Sequence, residues 1–296
     1  MNPLIWVATV WAILGVAATI YTQSVISSHG TLIVAVPTRT GWLVCADKRT
    51  YDRVRGDKDD VTKLLGIGSA IFGSTGNADF YGLLTDRITG RESAGAILFS
   101  AEDVVNRFAA TNAFSDTSSF WTGLMHELTT EFESFLRRIP STWWPESGAP
   151  PDSALFQLPF FWVDSGSVPH GTLLRFHYKR QSPFSIEIRK HDLQAEKITD
   201  NIKVIAFGNI AVYEEIMNGK DKRFDDLRQD KEIRRLFFDK PARTTVTETE
   251  AEAFGRRFIV LTSERTHLIE NTTFHVGPTA DCVVIGKNII RWIESH

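Results

Sequence analysis

Charge is missing from the start of the chain. Residues 1–30 contain no Lys, Arg, Asp or Glu, although 23% of all 296 residues are charged. Pro3 to Tyr21 is apolar apart from two threonines. An uncharged run of nineteen suits one membrane-spanning helix and is long for a signal-peptide core. No positive residue precedes it, so its orientation stays open. Gly15-Val16-Ala17 offers a weak small-x-small site for a signal peptidase. Residues 1–30 are therefore expected to be an export or anchoring segment, with membrane contact through residues 3–21 and a short linker from Thr22 to Gly30. The folded domain is expected over residues 31–296, outside the cytoplasm or tethered to a membrane, with the cytoplasmic side left open.

Cysteine is nearly absent. Two residues, Cys45 and Cys282, are too few for a disulfide framework and lack metal-ligand spacing. Each lies in an apolar, strand-like run and reads as a buried small hydrophobe. The net charge of −3 gives no electrostatic case for nucleic acid. Gly66-x-Gly68 lacks the third glycine of a dinucleotide loop, since position 71 is Ile. His126-Glu127 begins a zinc-protease pattern, but position 130 is Thr. No cofactor and no metal is expected. What the chain does have is length and 43% hydrophobic content, enough for a full core.

The informative stretch runs from Ser28 to Gly73. Thr31 follows Gly30 and opens an apolar strand, a turn at Thr40-Gly41 reverses the chain, and Trp42 to Ala46 runs back to Asp47. Such a hairpin returns Asp47 towards Thr31. Lys63 begins the next apolar segment, so Asp47 and Lys63 lie 16 and 32 residues after Thr31. A threonine hydroxyl needs a base beside it to act as a nucleophile. Were the chain cut after Gly30, as the resemblance given next implies, the α-amine of Thr31 would have an ordinary pKa of about 8, close to working pH. A nearby Lys63 ammonium would lower it, and Asp47 would hold that ammonium in place. Singly, Asp47 and Lys63 read as an ion pair at strand ends and Thr31 as a strand threonine; their reading as a site rests on a family resemblance in which these residue types recur at these spacings behind a glycine.

This pattern resembles the catalytic subunits of the proteasome family, the N-terminal-nucleophile hydrolases that cleave themselves after a glycine to expose a threonine. The resemblance covers Thr31 to about Leu84 well and the remainder loosely. It implies an α+β fold, a four-layer αββα sandwich, and a threonine-type peptidase that processes itself at Gly30-Thr31. Thr31, Asp47 and Lys63 would be catalytic, with Arg49 in support. Gly76, in the turn Gly73-Ser74-Thr75-Gly76, would supply an oxyanion N–H. Homo-oligomeric rings and peptide or unfolded-protein substrates are also implied. The family's Gly-Ser-Gly turn is replaced by Gly208-Asn209-Ile210, leaving Asn209 as a supporting hydrogen-bonding group. Asn271 to His275 offers no counterpart to the family's Asp and Ser before the last strand. A catalytically weak or inactive relative, building a shell or a membrane scaffold, is the alternative. In the catalytic case, cleavage is expected to create the base and release the leader together.

Elsewhere, Leu64–Phe72 reads as one strand and Asn77 onward as a helix bearing Phe80, Leu83 and Leu84. Ser100 caps a second helix. Trp121, Leu124, Leu128, Phe132 and Phe135 mark one buried helix face, as do Ala251, Phe254, Phe258 and Leu261. Strands are expected at Leu155–Val163, Leu173–Tyr178, Phe184–Ile188, Ile202–Phe207 and Asp281–Ile285. Lys220 to Arg235 reads as a solvated helical face.

Overall fold

The computed structural model describes residues 20–27, 32–52, 56–58, 60–86, 92–146, 154–180, 184–193, 203–208, 210–218, 221–268 and 276–293. The chain opens with strands β1 (Ile20–Ser27), β2 (Leu32–Thr38) and β3 (Gly41–Asp47), then a small ribbon of β4 (Thr50–Asp52) and β5 (Gly56–Lys58). β6 (Leu64–Ile67), β7 (Ala70–Gly73) and β8 (Thr75–Gly76) follow, then β9 (Asp79–Asp86) and β10 (Glu92–Ser100). Helices α1 (Ala101–Thr111) and α2 (Ser118–Arg138) lead to β11 (Phe156–Val163), β12 (Pro169–Lys179), β13 (Ser185–Leu193) and β14 (Ile205–Gly208). Helices α3 (Ala211–Asn218), α4 (Asp225–Gln229), α5 (Lys231–Phe237) and α6 (Glu248–Arg265) precede β15 (Ala280–Gly286) and β16 (Ile289–Ile293).

Every residue of β2 and β3 is buried. The cause is cover on both faces, so apolar residues need not alternate with polar ones. Leu32, Val34, Val36, Leu43 and Cys45 face a core shared with Phe254 and Phe258 of α6. Ile33, Ala35, Trp42, Val44 and Ala46 face a second core with Leu64, Ile71 and Phe161. The first core belongs to the five-stranded sheet β14-β2-β3-β15-β16, and the second joins it to the sheet β13-β12-β11-β7-β6. A third core packs α1 and α2 on that second sheet.

The four-layer αββα sandwich is corrected by what is built beyond these parts. A third antiparallel sheet, β1-β9-β10, has no place in that plan, and the described residues form three main sheets and six helices. It arises where a helix was expected from Asn77. Gly82 is costly in a helix by about 1 kcal/mol relative to Ala, and Tyr81 and Thr85 favour strands. As strands, β9 and β10 set Phe80 and Phe99 against α2: their ring centroids lie 6.0 and 5.1 Å from that of Phe132. Phe132 in turn meets Phe176 of β12 at 4.9 Å, so α2 lies between two sheets.

Other expectations also change. Ile20–Ser27, the last two residues of the expected apolar run and the first six of the expected linker, is the strand β1. Residues 3–19 lie outside the described residues, among which no helix is long and apolar enough to cross a membrane. Leu64–Phe72 is two strands, because Gly68 at φ +62° opens a two-residue turn. The stretch 221–235 is not wholly solvated: Phe224, Leu227 and Ile233 are buried. The cysteines are joined, Cys45 facing Cys282 in the β3–β15 register.

The remaining helices follow the sequence. Ser100 caps α1 by accepting from the Asp103 N–H, and α2 buries Trp121, Leu124, Leu128, Phe132 and Phe135.

Candidate active site

The hairpin β2–β3 brings Asp47 back to the start of β2. The Leu32 N–H donates to Asp47 Oδ1 at 2.6 Å. The Lys63 ammonium reaches both carboxylate oxygens at 3.1 Å, and it also donates to the Arg49 carbonyl. The Arg49 N–H donates to Asp47 Oδ2 at 3.1 Å, so Arg49 supports the site through its backbone. The Gly277 N–H donates to the same oxygen at 3.0 Å. Asp47 is fully buried and Lys63 is 4% exposed.

Burial pushes the Asp47 carboxyl above its ordinary value, against the pull of Lys63 and of the Leu32 and Gly277 N–H groups. Each of these partners donates, which an ionised carboxylate satisfies best. Removing either charge of this pair would leave the other stranded in the interior.

Lys63 immediately precedes β6, and Leu64 pairs with Gly73 across the β6–β7 hairpin. A Cβ on Gly73 would lie 2.9 Å from the Lys63 carbonyl and 2.6 Å from Ile33 Cδ1, so only glycine lets β7 close on the site. Gly76 has φ +82°, and a Cβ there would meet the Leu155 carbonyl at 2.8 Å. That backbone geometry accounts for its being glycine.

Two side chains near Lys63 had no motif to announce them. Ser74 Oγ donates to Glu102 Oε1, which comes from the first turn of α1. Burial pushes the Glu102 carboxyl up to about 7; the Ser74 bond and Lys63 pull it down, and Asp79 and Asp103 add to the rise. In sequence, an acid in a helix's first turn reads only as a complement to the dipole. In sequence, Gly277 stands only in the stretch Val276-Gly277-Pro278 that leads into the closing strand.

Thr31, Gly30 and Asn209 lie outside the described residues. The structure thus brings Asp47, Lys63 and the Arg49 backbone together beside Leu32, the residue that follows Thr31. Gly76 is in β8, two residues after Ser74. No cluster of metal-ligating side chains occurs among the described residues. No protein-family model matches the chain, and no curated protein sequence matches it.

Proposed function

We propose that the chain is a threonine-type amide hydrolase, most simply a peptidase, that matures by cutting itself between Gly30 and Thr31. The observation that carries the reading is the buried Asp47–Lys63 pair, bonded to the N–H of the residue after Thr31. In the first step Thr31 Oγ attacks the Gly30 carbonyl and the bond to the Thr31 nitrogen breaks. The hydroxyl proton ends on that nitrogen, leaving an ester that water hydrolyses. The freed α-amine then serves as base for the hydroxyl in every later turnover. Lys63 keeps that amine unprotonated by charge repulsion, and Asp47 fixes Lys63.

Substrates under this reading are peptides or unfolded chains, and assembly into homo-oligomeric rings remains part of the proposal. The Cys45–Cys282 disulfide supports maturation in an oxidising compartment, in keeping with an exported or membrane-anchored precursor. Intact-mass measurement of the purified chain tests the proposal. A mature terminus at Thr31, lost in Thr31→Ala together with peptide hydrolysis, is the expected result. A Thr31→Ala protein cleaving peptides at the wild-type rate would sink it.

A second reading has one observation in its favour. β1, directly upstream of Gly30, is built into a sheet. An uncut chain would keep the Thr31 nitrogen as an amide and act as a scaffold. The same mass measurement separates the two.

A further inference from the structure

We infer that the strand Ile20–Ser27 stays seated on β9 after the chain is cut at Gly30-Thr31, so that the leader remains a non-covalent part of the mature particle. The inference rests on the proposed cleavage for its biological setting. Its structural basis is independent.

β1 pairs antiparallel with β9 from Ile20 opposite Asp86 to Ser27 opposite Phe80, with one register shift between Thr22 and Ser24. β9 carries β10 on its other side, so it is the central strand of its sheet. Losing β1 would open a row of backbone donors and acceptors along β9. β9 cannot turn away to hide them, because Phe80 and Leu83 are buried and Phe80 stacks on Phe135 of α2. β1 also runs beside the short 3-10 turn Ser141–Trp143, which gives it a second neighbour.

The cut falls outside this ladder. Four residues separate Ser27 from Leu32, and breaking one bond among them removes none of the registered pairs. Five Cα steps reach at most about 18 Å, so the leader strand ends close to the Asp47 site. The occupant of the β9 edge is thus an extended segment of this chain, held by strand addition. Activation and detachment become separate events: cutting creates the amine but leaves residues 1–19 tied to the domain.

The test uses the full chain with a sequence-specific protease site placed between Ser28 and Gly30, cut in detergent and passed over a sizing column. Both fragments are expected in one peak, separating only in denaturant. Amides of β9 should exchange as slowly in the cut protein as in the uncut one. Adjacent strand N–H groups point to opposite sides, so Val25→Pro/Ile26→Pro removes one directed at β9. That variant should shed its leader fragment on cutting. Fragments that separate in native buffer, or β9 amides that speed up on cutting, would overturn the inference. So would a proline variant that holds its leader as firmly as wild type. A chain that never cuts itself would defeat the proposed hydrolase and still leave this result readable through the inserted site.

Discussion

Cys45 and Cys282 are joined directly across β3 and β15, two residues from the facing pair Asp47 and Ala280. The bond therefore ties the strand that ends in the site carboxylate to the strand that follows Gly277. Helix α6 lies over it: a Cβ on Gly255 would come within 2.7 Å of the Cys45 sulfur. The bonded residues are 237 apart in sequence, so the link restricts nearly the whole unfolded chain. Cys45→Ala/Cys282→Ala should lower stability by about 2–5 kcal/mol. Urea midpoints of the oxidised wild type and the double variant measure it. Equal midpoints would show that the bond adds nothing.

The Asp47–Lys63 pair should be strongly coupled. Lys63→Met leaves a buried carboxylate without its cation and should cost about 3–5 kcal/mol. Combined with Asp47→Asn, the cost should fall well short of the sum of the single changes. A denaturant double-mutant cycle reads this, and strict additivity would refute the coupling. Under the proposed chemistry either single change should also slow peptide hydrolysis at least about a hundredfold.

Glu102 gives a pH signature. Its folded value of about 7 stands above its ordinary 4.5. Between those values the folded chain holds a proton that the unfolded chain releases, so stability falls as pH rises through the window. The loss should total about 3 kcal/mol by pH 8. Glu102→Gln cannot ionise and should flatten this part of the profile, matching wild type near pH 4 and exceeding it at pH 8. Unfolding midpoints for both proteins at the two pH values decide the matter.

Much of the site was legible because it is local. Asp47 returns to β2 through a tight hairpin, which local pattern alone predicts, whereas Lys63, one short excursion further on, was placed beside it by the family resemblance. Gly277 and Cys282 reach the same place across more than 200 residues, and no local pattern reports a register between such distant strands. The β9 segment misled for a different reason. Phe80, Leu83 and Leu84 fit a helical stripe equally well, and what sets the strand apart is Phe80, which meets Phe132 and Phe135 of α2 from the sheet. The charged run 220–235 misled because charges flank its buried Phe224, Leu227 and Ile233 so closely that the apolar spacing is hidden.

The Gly277 N–H that completes the Asp47 carboxylate lies 230 residues beyond it. A chain emerging from the ribosome carries Thr31, Asp47 and Lys63 long before that donor exists. The carboxylate gains this partner only after residue 277 has been made and β15 can dock beside β3. The carboxylate's hydrogen-bond set is consequently complete only once residue 277 has been made, and a chain truncated before it would fold its first hairpin around an unfinished centre.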